Sequence, residues 1–471
     1  MELSGTSVAV IGLGVSGMAA ARLALAEGAE VYVSDSRQDV AVAARGADLE
    51  AAGASVELGR HDVERVARAG LVVVSPGIAP DAPVLGALAE RGVRWISEPE
   101  LAARFFAGSL IAVTGTNGKT TVTLLVEHLL REAGVRAAAG GNVGGGLAPA
   151  ASDLVRMDKP LDWWVLEMSS FQLAGVETFR PDIGIVTNLS PDHLDRYENV
   201  AAYYADKAHL FDSADERSVW VLPSEDDVVD RLIDDAPGRR YYFGETPLQA
   251  EGGSSGQAFV EGDRLTLLVD GALEQLCPVV DLPLLGRHNV VNALAASLAA
   301  RLAGAEVAAI ARGLRSARPL PHRLEPVAER AGVLWVNDSK ATNLAATRSA
   351  LESMDRPVVL LVGGKDKGEA FGPLAAAFPD RVRAVVAYGA VGPRVAGELL
   401  AARPGGGGAP EGRRTSVEVV DGGLDDVVAR AAALARPGDV VLLSPACSSF
   451  DMFESYEHRG RAFAELARGR S

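Results

Sequence analysis

A chain of 471 residues is too long for one ordinary domain and predicts roughly two to four. Hydrophobic residues at 48% and charged ones at 23% exclude a disordered polypeptide, and a formal net charge of −16 argues against a general nucleic-acid binder. Any anionic ligand must then be met by local basic groups working against the overall field.

Cys277 and Cys447 offer neither a metal spacing nor a disulfide framework. Met1-Glu2-Leu3-Ser4-Gly5 has no basic region ahead of the first strand, and no apolar run reaches membrane-spanning length. A soluble cytoplasmic protein without a signal peptide is expected.

Ser7–Ile11 reads as a strand, Gly12-Leu13-Gly14-Val15-Ser16-Gly17 as a G-x-G-x-x-G turn, and residues 18–27 as an alanine-rich helix closed by Gly28. Residues 31–34 predict the next strand, which ends at Asp35, about where an acidic side chain meets a ribose in dinucleotide folds. Taken alone this favours NAD, although a single glycine motif is a weak signal. Leu71–Val74 leads into the tight turn Ser75-Pro76-Gly77. Strands alternating with helices imply a parallel sheet with ligands at its strand C-termini.

A second segment starts near residue 99. Its apolar residues 110–113 predict a buried strand, followed by Gly115-Thr116-Asn117-Gly118-Lys119-Thr120-Thr121 and a helix over 122–130. A glycine turn between strand and helix points backbone N–H groups at an anion, and the helix start adds partial positive charge. Lys119 is placed to reach β/γ-phosphates and Thr120 to ligate Mg²⁺, although the first glycine of the general P-loop pattern falls at Val113. ATP binding is therefore expected.

Strands at 164–166 and 183–187 end at Glu167-Met168-Ser169-Ser170 and Asn188-Leu189-Ser190-Pro191-Asp192-His193. Residues 241–281 carry alternating strand-like pieces around an exposed glycine-serine loop at 251–256, and a helix is predicted over 289–302. A third segment begins near Leu320, with parallel strands at 333–336, 358–362, 384–387 and 440–443. Its 403–410 stretch is low-complexity and expected to be mobile. There is no fixed-period repeat.

Four motifs occur in the order seen in Mur ligases, the ATP-dependent amino-acid-adding enzymes of peptidoglycan precursor synthesis. They are Gly115-Thr-Asn-Gly-Lys-Thr-Thr121, Glu167-Met-Ser-Ser-Phe-Gln172, Asn188-Leu-Ser-Pro-Asp-His-Leu-Asp195 and His288-Asn-Val-Val-Asn292. Leu320-Pro-His-Arg-Leu-Glu325, Asn337-Asp-Ser-Lys-Ala-Thr-Asn343, Gly363-Gly-Lys-Asp-Lys-Gly368 and Leu443-Ser-Pro-Ala-Cys-Ser-Ser-Phe-Asp451 resemble the D-glutamate-adding branch.

The resemblance spans nearly the whole chain and implies three α/β domains. These are a Rossmann-like N-terminal domain (1–98) for the UDP-substrate, a central P-loop ATPase-like domain (99–319) for ATP, and a C-terminal Rossmann-like α/β domain (320–471) for the amino acid.

The resemblance also implies site residues. The first glycine turn would hold a UDP-sugar rather than NAD, through Val15, Ser16, Asp35, Ser36, Arg37 and Gly77, with Asn142 facing the muramoyl-alanine portion. Gly115, Thr116, Asn117, Gly118, Lys119, Thr120 and Thr121 would hold the phosphates of ATP. Asn289, Asn292, Arg323 and Asp338 would make further ATP contacts.

Thr120, Glu167, His193 and Lys207 would serve two Mg²⁺ ions. By pattern alone His193 is a structural histidine and Lys207 a solvated helix lysine; by resemblance Lys207 carries a CO₂-derived carbamate. Lys119, Glu167, His193 and Lys207 form the implied catalytic set. Lys340, Thr342, Lys367, Ser449 and Tyr456 would bind D-glutamate, with Lys365 an alternative to Lys367.

The implied partners are ATP, UDP-N-acetylmuramoyl-L-alanine and D-glutamate, acting on a monomer without nucleic acid or membrane insertion. A folylpolyglutamate synthase-like ligase is the nearest alternative, and a non-catalytic nucleotide- or NAD-binding protein is the alternative of a different class. The first-domain glycine turn and the third-domain motifs weigh against the former, and Glu167, His193 and Lys207 together against the latter.

Overall fold

The computed structural model describes residues 2–157, 160–194, 196–248, 254–366, 368–376, 378, 381–402 and 415–469. Two compact units emerge, Met1–Asp281 with Val291–Arg315, and Leu282–Val290 with Ser316–Ser471. Among the described residues the strands form three sheets, two in the first unit and one in the second.

The first sheet is wholly parallel and contains β1 (Ser7–Ile11), β2 (Glu30–Asp35), β3 (Ser55–Leu58), β4 (Leu71–Val74) and β5 (Ile96–Ser97), in the order β3-β2-β1-β4-β5. Its helix begins at Val15, three residues ahead of the sequence expectation, because Gly17 already belongs to the first helical turn. A Cβ on Gly17 would lie 1.9 Å from the Gly12 carbonyl oxygen, so glycine is what lets this helix close onto β1. Val8, Val10 and Val33 pack on the buried Leu23, while Ala9, Ile11 and Val72 face the opposite layer. Burial on both faces is the reason these strands read as continuous apolar runs.

The second sheet contains β6 (Ser109–Thr114), β7 (Ala137–Gly141), β8 (Trp163–Glu167), β9 (Ile183–Val186), β10 (Val219–Pro223), β11 (Arg239–Phe243), β12 (Ser254–Glu261), β13 (Arg264–Val269) and β14 (Ala272–Pro278). Their order is β14-β13-β12-β11-β10-β9-β6-β8-β7, and pairing is parallel except among β12, β13 and β14. Trp164, Trp220, Leu166 and Leu210 fill its core.

The expected loop at 251–256 is corrected in part: Ser254 already opens β12, and Gly256 pairs with Val269. A Cβ there would lie 2.4 Å from the Leu268 carbonyl oxygen, so this glycine marks a close strand approach rather than a turn. Residues 249–253 and the 403–410 stretch lie outside the described residues.

Strand β5 runs into the helix Glu98–Ala103, which ties the first sheet to the layer of the second. Glu98 accepts a hydrogen bond from the Ser152 N–H, and Glu100 accepts from the backbone N–H groups of Glu177, Thr178 and Phe179 at 3.1, 3.1 and 2.8 Å.

The second unit holds β15 (Glu325–Arg330), β16 (Val333–Asn337), β17 (Val358–Gly363), β18 (Val382–Tyr388), β19 (Ser416–Val420) and β20 (Val440–Leu443). The order is β15-β16-β20-β17-β18-β19, with only the β15 edge antiparallel. Val358, Leu360 and Leu442 pack on one face of this sheet, and Val359, Leu361 and Val441 on the other. Among the described residues no helix is long and apolar enough to cross a membrane.

Candidate active site

Strand β6 lies between β8 and β9, with Val113 in register with Glu167 and Thr114 with Val186. Three strand C-termini therefore present the Gly115–Gly118 turn, Glu167 and the 187–193 segment side by side, where open α/β sheets place their ligands. The turn needs its glycines. Gly115 has φ +135° and Gly118 φ +84°, and a Cβ at either would lie 2.0 Å from Thr187 Oγ1 or 2.5 Å from Asn292 Oδ1.

Asn188 clamps the loop reciprocally, accepting from Asn117 N–H at 3.0 Å and donating to the Asn117 carbonyl at 2.9 Å. Lys119 opens the helix Lys119–Glu132 and folds back to donate to the carbonyls of Gly115 and Thr116 at 3.0 and 2.8 Å. Its ammonium is thereby held over the glycine loop, a turn of the kind that suits an anion.

Thr120 Oγ1 donates to Glu167 Oε2 at 2.7 Å, and Asn142 Nδ2 donates to the other carboxylate oxygen at 3.1 Å. A hydroxyl and a carboxylate are hard oxygen donors of the kind Mg²⁺ prefers. The expected metal residues are thus brought together in pairs. Thr120 and Glu167 form one; His193 and Lys207 meet at the ring of Tyr203, 6.1 Å from the imidazole centroid and 4.8 Å from the ammonium. Among the described residues no three His, Cys, Asp or Glu side chains group as a metal site. Asp195 lies outside the described residues.

Lys207 is a correction to the pattern reading: it is buried, not solvated. It sits near the end of the helix Val200–Ala208 and donates to the Gly115 carbonyl at 2.8 Å and Thr114 Oγ1 at 3.3 Å. Burial, helped by the nearby charge of Lys119, lowers its pKa to about 7. His193 adopts φ 54°, with Nε2 3.6 Å from Asp192 Oδ2 and its ring edge-on to Phe171 at 5.4 Å.

In the first glycine turn, Asp35 is committed to the loop itself. It accepts from Leu13 N–H at 2.7 Å and from Arg37 N–H and Nε at 2.9 and 3.0 Å, and Arg37 Nη2 pairs with it at 2.8 Å. Burial pushes this carboxyl up, but the hydrogen bonds from Arg37 and Leu13 outweigh it and hold the pKa at about 2. Val15, Ser36 and Arg37 stay exposed around the turn, Ser16 is half-buried, and the Gly77 carbonyl accepts weakly from Arg196 at 3.4 Å.

The helix Arg287–Leu302 carries Asn289, which donates to the Leu285 carbonyl at 2.7 Å, and the buried Asn292, which lies beside Gly118. In the second unit, Arg323 stands between His322 and Leu324, whose φ values are 64° and 43°. Leu324 N–H and the Ser444 hydroxyl donate to Asp338 at 3.2 and 2.8 Å. Burial nonetheless lifts the Asp338 carboxyl to about 7.

Lys340 and Thr342 follow β16, and the buried Ser449 follows β20. Tyr456 opens the helix Tyr456–Ala467, and Lys365 is exposed and bridges Ser448 through its backbone. These positions all belong to one end of the third sheet. Lys367 lies outside the described residues.

Three family models match the chain in succession: the Mur ligase MurD-like N-terminal domain over residues 6–97, the Mur ligase middle domain over 113–300, and the Mur ligase glutamate ligase domain over 322–447. A UDP-N-acetylmuramoylalanine--D-glutamate ligase of Acidobacterium capsulatum is 41% identical, covering 99% of this chain and 97% of the relative. One of Anaeromyxobacter dehalogenans is 43% identical, covering 99% and 98%. The chain belongs to the Mur ligase family.

Among solved structures, a MurF ligase from Thermotoga maritima in complex with ADP superposes with a TM-score of 0.57 at 15% identity, covering 100% of this chain and 96% of its own. UDP-N-acetylmuramate-alanine ligase MurC from Thermotoga maritima gives 0.56 at 18%, covering 99% and 100%. The Mur ligase architecture of three α/β domains is thus shared well beyond the range of close sequence identity.

Within this Mur ligase chain, two site features escaped the sequence reading. Tyr203 joins Thr116 Oγ1 at 3.2 Å to the ring of His193 and the ammonium of Lys207. Its spacing of four from Lys207 was the available signal, since such residues share a helix face. The Asn188–Asn117 clamp had no local signal, because it depends on strand order β9-β6.

Proposed function

We propose that this chain is an ATP-dependent ligase that joins D-glutamate to UDP-N-acetylmuramoyl-L-alanine in the cytoplasm, as a step of peptidoglycan precursor synthesis. The observation that carries the reading is the full-length likeness, at 41% identity, to a protein named for that reaction. We assign residues 1–98 to the UDP-substrate, 99–319 to ATP and 320–471 to the amino acid, all on one monomer.

The loop Gly115–Gly118, with Lys119 and Thr121, is suited to cradle the phosphates of ATP, Lys119 exchanging its two loop carbonyls for phosphate oxygens. Asn289, Asn292, Arg323 and Asp338 supply the remaining nucleotide contacts. Thr120 and Glu167, with His193 and a carbamylated Lys207, would hold Mg²⁺, which would supply positive charge to offset that of the phosphates.

The Lys207 amine suits carbamylation because a pKa of about 7 leaves much of it neutral. Neutral amine plus CO₂ gives the carbamate and one proton, which turns a buried cation into an oxygen ligand.

The L-alanyl carboxylate attacks the γ-phosphorus and displaces ADP, giving an acyl phosphate. This makes phosphate, instead of oxide, the leaving group. The D-glutamate amine then attacks the acyl carbon and phosphate departs, with the developing oxyanion stabilised by fixed positive groups. Lys340, Thr342, Ser449 and Tyr456, with Lys365 or Lys367, fix the two carboxylates so that the amine faces the acyl carbon.

Phosphate release is measured with ATP, UDP-N-acetylmuramoyl-L-alanine and one amino acid at a time. D-Glutamate alone is expected to support turnover. Comparable turnover with meso-diaminopimelate moves the chain to another branch of the family, and turnover with a folate substrate instead of the UDP-sugar favours the folylpolyglutamate reading.

A further inference from the structure

Arg459 is fully buried in the first turn of the helix Tyr456–Ala467. Its Nε donates to Ser339 Oγ at 2.9 Å, and its Nη2 donates to the carbonyls of Ser339 and Cys447 at 3.0 and 3.1 Å. Among the described residues Nη1 makes no well-formed hydrogen bond, and the buried Tyr388 hydroxyl lies close to this guanidinium. Among the described residues no carboxylate pairs with it. A guanidinium stays charged at any pH a protein survives. A buried cation held only by neutral dipoles is costly, and leaving one of its N–H groups unmet adds to that cost. A salt-bridge partner or an apolar side chain would serve the core better, so stability does not account for this residue.

Its surroundings do. The sheet order β16-β20-β17 places three strand ends side by side. Arg459 touches the segment after β16 at Ser339 and the segment after β20 at Cys447; a Cβ on Gly364, just after β17, would lie 3.2 Å from Nη1. Ser339 Oγ in turn donates to the Tyr456 carbonyl at 2.8 Å. One side chain therefore fixes the backbone that carries Lys340, Thr342, Ser449 and Tyr456. We infer that Arg459 is a positioning residue for the amino-acid pocket: it sets the relative places of the Ser339 and Cys447 segments, and so the places of the side chains that they carry. This rests on the D-glutamate reading above.

The test is steady-state kinetics of the full chain with each of the three substrates varied, for Arg459→Lys, Arg459→Met and Ser339→Ala, alongside thermal unfolding. Arg459→Lys keeps a charge but loses the fork. It is expected to raise the KM for D-glutamate about tenfold, with kcat and the other two KM values within about twofold. Arg459→Met, which loses both, is expected to raise it about a hundredfold. Ser339→Ala keeps the guanidinium and removes one of its anchors, and is expected to shift the same KM in the same direction by about threefold.

An unchanged KM for D-glutamate in Arg459→Lys overturns the inference. So does a joint loss of kcat, all three affinities and melting temperature in Arg459→Lys and Ser339→Ala, which is the mark of a merely structural role. If Arg459→Met does not fold, these two variants decide. A wild-type enzyme whose phosphate release ignores D-glutamate overturns the underlying reading instead, whatever the variants do.

Discussion

Thr120 and Glu167 are joined by a 2.7 Å hydrogen bond that spans from the first turn of the phosphate-loop helix to the last residue of β8. The hydroxyl donates its proton here, so its oxygen lone pairs stay directed away from the carboxylate and free for a cation. Thr120→Ala removes that oxygen, a Mg²⁺ ligand in the proposed function, and takes away one of the hydrogen bonds that fix Glu167. The expected result is a fall in kcat of about a hundredfold and a higher Mg²⁺ requirement. Thr120→Ser, which keeps the hydroxyl, is expected to stay within about tenfold of wild type. Measuring ADP formation against Mg²⁺ concentration checks this; equal loss in both variants would show that the methyl group, not the oxygen, matters.

Asp35 holds the first glycine turn together through Leu13 and Arg37. Its folded pKa of about 2 lies below the ordinary 3.8, so its contribution to stability is present above pH 3.8 and is lost as pH falls through about 2. Because Arg37 is largely exposed and screened, the expected contribution is about 1–2 kcal/mol. Asp35→Asn is expected to lower stability by that amount at neutral pH, with the difference from wild type shrinking in acid. A difference that stays constant down to about pH 2 would rule out the titration as its source.

The sequence carried the strands well where a run is apolar and buried on both faces, as at 110–113 and 358–362. It carried the glycine turns because Gly17, Gly115 and Gly118 each sit where a Cβ has no room. What it carried poorly were side chains whose meaning depends on which strands become neighbours. Lys207 has the pattern of a surface lysine, and only the packing of its helix against the end of β6 buries it. Gly256 reads as loop because glycine and serine usually punctuate, yet here it admits the carbonyl of a paired strand. Arg459 gives no local signal either, since its partners lie 12 and 120 residues away.

Glu98 is buried where β5 passes into the next helix, and among the described residues one of its carboxylate oxygens has no hydrogen-bond partner. Burial lifts its pKa from 4.5 to about 7. The folded chain therefore keeps a proton that the unfolded chain gives up, and this group makes stability fall as pH rises from about 4.5 to 7. Glu98→Gln keeps a neutral amide in its place and removes that fall. Relative to wild type the variant is expected to gain stability across this window, on the order of 2 kcal/mol by its upper end. Thermal unfolding of both proteins at a series of pH values tests it; parallel curves would mean that Glu98 does not titrate there.

Lys207 gives the sharpest test of the catalytic reading. As an ammonium it sits among carbonyl and hydroxyl oxygens close to Lys119, an arrangement that repels a metal ion. As a carbamate it would present oxygen ligands instead. With a pKa of about 7 the neutral amine is well populated at and above neutrality and is lost as pH falls below it. Activity of wild-type enzyme depleted of CO₂ is therefore expected to be low, most of all in mild acid, and to recover on adding bicarbonate near neutral pH. Lys207→Ala is expected to lose about a thousandfold in kcat, and a short carboxylic acid such as acetate or formate is expected to restore part of it by filling the vacated space with a carboxylate. Isotopically labelled bicarbonate should yield a carbamate resonance in wild type and none in Lys207→Ala. A fully active Lys207→Ala enzyme, or an unmodified amine in the active, Mg²⁺-loaded wild type, would sink the carbamate. The phosphate loop and the Thr120–Glu167 pair would then need another residue to complete the metal site.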